Sequence, residues 1–279
     1  MQESLRNALA AIDGIQIPDL PEEIIQLESE IKSPFANTVK ITEIISQNTT
    51  LSGQVMRVIN SPVMRLKDPI KSIRDAVNVM GLDNIYNLVV CSALMNLFGS
   101  KDLHKDIMKH SVGVAFCMAD ISDRVEGISR DEAYMLGLFH NVGALMLASK
   151  SAEEYEPLYH NSLSMPLSIN EKEEASFSSN HAMIGVLVCK KWHLDSDMLS
   201  AIMLHHNQSC AAISSERVRT LVAMIKAANG FVSEIYLGAF KSTEMKDYEH
   251  DGMEALNLPE EAWTEIRSAL MSYSFKDEV

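Results

Sequence analysis

Five histidines in the second half of the chain, His110, His140, His181 and the adjacent pair His205-His206, stand in segments whose apolar residues recur at helical spacing. Helical bundles build metal sites by pointing imidazoles inward from different helices, and a metal held that way can polarise a phosphoryl oxygen or activate a water. His140 is followed by Asn141 inside the apolar stretch 137–147. An Asn side chain is neutral and offers only a carbonyl dipole, so it balances a dication poorly. A single buried histidine reads first as a hydrogen-bonded core residue, and His104, His160, His193 and His250 are placed in that class. The other five matter as a set.

The totals narrow what such a set could serve. At 279 residues with 47% apolar content the chain can bury a sizeable core. Its 24 Lys and Arg stand against 38 Asp and Glu, a net charge of −14, which on average repels a phosphate backbone and argues against nucleic acid as partner. Cys91, Cys117, Cys189 and Cys210 lack any Cys-x-x-Cys spacing and read as buried thiols of a reducing compartment. Residues 1–14 lack the cationic start and long apolar centre of a secretory signal, and no apolar run reaches the ~18 residues that span a bilayer. The expectation is a soluble cytoplasmic protein with no membrane association.

Twelve glycines, eight prolines and apolar residues spaced by three and four predict an all-α protein. A short amphipathic helix covers 1–13, and Pro21 suits the first position of a helix running to about residue 32. Asn37 caps a segment to residue 47 with Val39, Ile41, Ile44 and Ile45 near one face, and Thr50 caps 51–60. Ser72 caps 73–80, which Gly81 stops. The apolar helix 83–98 ends at Gly99-Ser100. Beyond it come a helix over 103–125, one continuous helix over 129–149 opened by the capping-box spacing Ser129-x-x-Glu132, and helices over 152–163, 168–177, 180–193, 196–207 and 214–237. A charged stretch occupies 241–251, and a final helix starts at Pro259. Gly99-Ser100 is the seam. It divides an N-terminal helical bundle, 1–100, from a histidine-bearing bundle, 101–240, packed against it, and 241–279 is a C-terminal helical extension.

The order of these residues resembles the HD superfamily of metal-dependent phosphohydrolases: a lone His, then His-Asp in Gly-Leu-x-His-Asp-x-Gly, a later His, a His-His pair and a final Asp. Here those positions hold His110, His140-Asn141, His181, His205-His206 and Asn229, so the histidines match and the acids are amides. Asn207 stands where related cyclic dinucleotide phosphodiesterases carry Glu. Leu20-Pro21, Ile44-Ile45-Ser46-Gln47, Asn60-Ser61-Pro62, the run from Ile70 to Gly81-Leu82, His181-x-x-x-Gly185, Trp192-x-Leu194 and Ile202-x-x-His205-His206 narrow the resemblance to the HDOD family over residues 15–237. Asn48 departs from it, standing where that family usually has Asp, as does Thr49, standing in place of Pro. Trp192 reads as core, and Gly185 as a place where helices approach closely.

The resemblance implies that 1–240 form one HDOD unit, its second bundle HD-like, in a bacterial family regarded as catalytically inactive signalling domains. The expected function is therefore a regulatory module that binds an unidentified signalling protein or small ligand, with no catalytic or cofactor-binding residues. No cofactor is expected, beyond a divalent metal at low occupancy on the degenerate site. The alternative is a metal-dependent phosphohydrolase of cyclic or other nucleotides, using the five histidines and acids recruited from elsewhere, with Asp120, Glu132 and Glu173 as candidates. No receiver, kinase or cyclase segment is recognised, so a stand-alone unit receiving its signal through a ligand or partner is expected.

Overall fold

The computed structural model of the chain describes residues 2–61, 64, 66–97, 102–235, 238 and 240–272. Pro62 of the Asn60-Ser61-Pro62 motif and the seam at Gly99-Ser100 lie outside them. Among the described residues there is no strand, and the fold is all-α as anticipated. The first half contains α1 (Gln2–Ala11), α2 (Glu22–Ile31), α3 (Thr38–Gln47), α4 (Thr49–Ile59), α5 (Ile73–Met80) and α6 (Leu82–Leu97). The second contains α7 (Asp102–Ser122), α8 (Arg130–Phe139), α9 (Val142–Lys150), α10 (Ala152–Ser162), α11 (Ile169–Phe177), α12 (His181–Lys191), α13 (Ser196–Leu204), α14 (Glu216–Ile235), α15 (Thr243–Leu256) and α16 (Glu260–Ser272).

Local sequence chemistry sets most of these boundaries. The side chains of Asn37, Ser72, Ser129 and Asn180 each accept from a backbone N–H in the first turn of α3, α5, α8 and α12, satisfying donors that a helix start leaves open. Gly81 ends α5 with φ 80°, a left-handed backbone that a side chain disfavours. Four readings need correction. Asn48, not Thr50, caps α4, its amide oxygen accepting from Leu51 N at 3.0 Å, so the Asn at this departure from the family pattern does a capping residue's work. Pro21 precedes α2 as its cap rather than opening it. Val39 is half exposed, whereas Ile41, Ile44 and Ile45 are buried. All but the first two residues of the charged stretch 241–251 lie within α15, whose Met245, Tyr248, Glu249 and Gly252 are buried against α14. Its charges hid a buried stripe.

The continuous helix expected over 129–149 is interrupted at His140-Asn141, where α8 ends and α9 begins in a new direction. A glycine explains where α9 goes. A Cβ on Gly143 would lie 1.9 Å from the carbonyl oxygen of His181 and 2.6 Å from Gly185 N, so the starts of α9 and α12 meet backbone to backbone. Gly185 takes part in this approach, as expected, but Gly143 is the tighter of the two. Trp192, fully buried, donates from its indole N–H to Pro18 O at 3.0 Å and packs edge-on to Phe139, joining the N-terminal segment to the helices that carry the histidines. The four cysteines are buried free thiols.

Two alanine substitutions separate these roles. Gly143→Ala is expected to cost at least about 3 kcal/mol, because only backbone stands in the way of the new methyl. Gly53→Ala, inside α4 with nothing within 4 Å, is expected to stabilise by about 0.5–1 kcal/mol. Urea unfolding of both variants checks the pair, and an unaffected Gly143→Ala would show that the two helix starts can separate freely.

Candidate functional site

The five histidines, Asn141 and Asn229 converge on one buried volume, each at most 8% exposed. They reach it mainly from helix ends. His110 and Asn229 lie inside α7 and α14, but His140 ends α8, His181 is the first residue of α12, and His205-His206 follow α13 instead of lying within it. Ring centroids of His140 and His205 are 5.5 Å apart, those of His181 and His206 4.8 Å, and those of His205 and His206 3.9 Å.

Each ring's tautomer follows from what its outer nitrogen meets. His140 Nδ1 lies 2.6 Å from Gly137 O and His205 Nδ1 2.6 Å from Ile202 O, each the carbonyl three residues earlier. Carbonyls only accept, so both rings carry their proton on Nδ1 and turn an Nε2 lone pair inward. His181 Nδ1 likewise faces the Glu173 carboxylate at 2.7 Å. Glu173 is fully buried and also accepts from His181 N at 2.7 Å and Tyr155 Oη at 2.7 Å. Sequence reasoning had proposed it as a metal-site acid. It stands instead behind His181, in the position from which an outer carboxylate orients a ligand imidazole.

His110 is arranged the opposite way. The Asn141 amide donates to His110 Nδ1 at 3.2 Å, which leaves the ring proton on Nε2. Asn229 donates to Tyr248 Oη at 3.2 Å. His110, Asn141, His206 and Asn229, with Ser162, Leu163, Pro166, Ser233 and Met245, enclose a cavity of 20 Å³, room for about one water. The other two candidate acids lie elsewhere: Asp120 pairs with Arg130 at 2.9 Å, and Glu132 pairs with Arg217.

Burial lowers the proton affinity of four rings. Desolvation holds His110, His205 and His206 well below the usual imidazole range, with neighbouring rings adding to the effect. It brings His140 down to about 4, against small opposing contributions from Gly137 O and the Asn229 amide. A charged network that the sequence did not disclose lies behind the His-His pair. Lys226, fully buried on α14, meets Asp251 of α15 at 2.6 Å and lies 5.0 Å from the centre of the Tyr248 ring. Asp251 also accepts from Cys210 N at 2.9 Å and Ser209 Oγ at 3.1 Å, pinning the chain just after His206. Its only sequence signal was a lysine in an apolar helix.

The donor set fits a divalent ion in one part and fails in another. His181, His205 and His206 gather ligand nitrogens within 4.8 Å of one another, with His181 Nε2 lying 3.3 Å from His205 Nε2 and 3.0 Å from His206 Nε2. The amide side presents an N–H of His110 and the amides Asn141 and Asn229, with no carboxylate, and does not fit one.

Comparison with known proteins adds context. The HDOD domain model matches residues 17–208. An uncharacterised protein of Treponema pallidum is 23% identical over 218 residues, 76% of this chain and 41% of its own length. The cyclic di-GMP phosphodiesterase CdgJ of Vibrio cholerae is 27% identical over 129 residues, 45% of this chain and 29% of its own. The chain thus spans well under half the length of these curated relatives. The crystal structure of an HDOD domain protein of Geobacter sulfurreducens superposes with a TM-score of 0.69 at 21% identity, covering 97% of this chain and 98% of that one, so the fold is shared.

Acid should therefore unfold the metal-free protein early. Below about pH 6.5 the unfolded chain binds protons that these folded histidines refuse, so their contribution is intact above that pH and is lost as pH falls. His140 alone accounts for about 3 kcal/mol by pH 4. Urea midpoints measured in chelator at pH 7, 6 and 5 should fall steadily; a flat profile would mean that the cluster takes up protons without cost.

Proposed function

The chain belongs to the HDOD domain family, and from that premise we propose that it acts as a non-catalytic regulatory module whose signal enters through a protein partner or small ligand. The observation that carries this reading is the amide side of the histidine cluster. Where a hydrolytic centre needs anionic oxygens to balance a dication and handle a water, this chain presents Asn141, Asn229 and the N–H of His110 around 20 Å³ of space. A nucleotide does not fit in that volume. Asp120 and Glu132 are tied to arginines, and Glu173 is spent on orienting His181.

A divalent ion, when bound, would be held by His181, His205 and His206 and would supply Lewis acidity. The residues lining the small cavity beside it include no carboxylate. The net charge of −14 disfavours nucleic acid as the partner. Among the described residues no helix is long and apolar enough to cross a membrane. A cytoplasmic location is part of this proposal, and the four free, buried thiols support it.

The second reading, a metal-dependent phosphodiesterase, draws on one observation: a matched relative bears the name cyclic di-GMP phosphodiesterase. The two part cleanly in an assay. Full-length protein supplied with Mn²⁺, Fe²⁺ or Ni²⁺ is expected to leave cyclic di-GMP and bis(p-nitrophenyl) phosphate uncleaved above the level of the His140→Ala variant. Turnover that His140→Ala abolishes would replace the regulatory reading with the enzymatic one.

A further inference from the structure

The first bundle carries a surface feature that the histidine cluster does not use. Helices α2 and α3 run antiparallel, as two contacts fix: Glu30 meets Lys40 at 2.5 Å near the turn that joins the helices, and Asn48, just past the end of α3, donates to Glu23 at 3.1 Å. Along this span α2 presents Glu22, Ile25 and Ser29, and α3 presents Lys40, Glu43 and Gln47, each set at the spacing i, i+3, i+7. Residues so spaced share one helix face, so two faces border one groove of about 560 Å³, with buried Ile44 at its base.

The core takes the opposite sides of both helices, where Ile24, Leu27, Ile41 and Ile45 are buried. Apolar side chains nevertheless stand outside it. Ile25 is 53% exposed in the groove wall, Phe35 89% exposed in the turn between the helices, and Val39 51% exposed at the start of α3. Among the described residues, three of the seven exposed large apolar side chains thus fall between positions 25 and 39. Singly such a residue means little, but grouped beside a groove they mark a place where another molecule settles.

Charge selects the occupant. Most acids of α2 already have partners: Glu23 has the Asn48 amide, Glu28 has Lys32 and His193, and Glu30 has Lys40. Glu22 and Glu43, both exposed on the groove, form no ion pair among the described residues, and Glu22 accepts from the neutral amide of Gln26. A cationic partner supplies what the chain itself does not. The net charge of −14 steers such a partner inward and repels an anionic one or a second copy. The groove walls are themselves exposed, so a small molecule would remain largely in water there, whereas a helix laid between two aligned helices buries a whole stripe.

We propose that the α2–α3 groove docks an amphipathic helix of a protein partner, its apolar stripe seated on Ile25, Ile44 and Phe35 and its Lys or Arg side chains beside Glu22 and Glu43. The proposal rests on the regulatory reading, since it names where and by what chemistry that module meets its partner. Their failures are distinguishable. Phosphodiester turnover abolished by His140→Ala would remove the regulatory reading and leave the affinity of the groove as measured, whereas loss of groove dependence would remove this assignment with turnover still absent.

The probe is a fluorescein-labelled model peptide with leucine at i, i+3, i+4 and i+7 flanked by lysine, titrated with full-length protein and followed by anisotropy. It should bind at least about tenfold tighter than a peptide of the same composition shuffled out of helical spacing. Ser29→Trp, which fills the groove without changing charge, and the double variant Glu22→Lys, Glu43→Lys should each weaken binding at least about tenfold. Glu153→Lys with Glu156→Lys, exposed on α10, makes the same change in net charge and should alter binding by no more than about twofold at ~0.15 M salt. Circular dichroism confirms that each variant is folded, and Ile25→Ser replaces Ser29→Trp if the latter is not. Equal binding of the shuffled peptide, or equal losses in the groove and α10 variants, would reduce the attraction to bulk charge and overturn the assignment. So would preferential binding of an acidic peptide of the same spacing, or a dimer of the chain in sedimentation that Ser29→Trp dissolves.

Discussion

An imidazole sealed from water has to give its N–H an acceptor, and that requirement organises the second half of this molecule. His140 and His205 meet it in the same way, each ending a helix and donating from Nδ1 to the carbonyl three residues back. Carbonyls in the last turn of a helix lack intrahelical partners, so the ring satisfies the helix end and is oriented by it in one contact. The chain direction changes at these rings as a consequence. After His140 the new helix runs directly into the start of α12, which the missing side chain of Gly143 permits, and His181 is thereby brought to the rings it faces.

The amides act on the same accounting. A carboxylate at position 141 could only accept, which would place the His110 proton on Nδ1 and free Nε2 as a ligand. The Asn141 amide donates to Nδ1 and reverses this, so a single change from acid to amide removes both an anionic oxygen and a neighbouring imidazole's lone pair. Loss of charge and reversal of tautomer reinforce each other. That is why the cluster divides into an amide side with hydrogens facing the cavity and an imidazole side with lone pairs facing each other.

Much of this was legible in the chain itself. The caps at Asn37, Ser72 and Ser129, the stop at Gly81 and the buried Trp192 could be read because each depends on residue type at short range, and the seven positions that the fold brings together were singled out by their resemblance to the HD order. The break at His140-Asn141 could not, since the apolar spacing of 129–149 is continuous and the interruption comes from a backbone contact with α12, some forty residues away. The helix over Thr243–Leu256 was hidden for a related reason. Its buried residues, Met245, Tyr248, Glu249 and Gly252, include a charge and a glycine, and their inward face exists only because α14 offers Gly230 and Lys226 opposite. The role of Glu173 was likewise unreadable, because acidic residues around it look alike until one of them is seen to be fully buried.

The network behind His206 extends the cluster beyond the residues matched by the family model, which stop at 208. Asp251 holds the backbone of Cys210 and the buried ammonium of Lys226 at once, so the turn carrying His205-His206 is fastened to α15. The two halves of that pairing are unequal: a buried ammonium deprived of its carboxylate is strongly destabilising, whereas Asp251, partly exposed, retains its backbone partner. The pair meets α15 in a second place as well, where the His206 ring stacks on Tyr248 with centroids 6.0 Å apart. The imidazole side of the cluster is thus fixed from behind by packing, by an ion pair and by a backbone hydrogen bond at once, which is why two adjacent histidines outside any helix can be held in one arrangement.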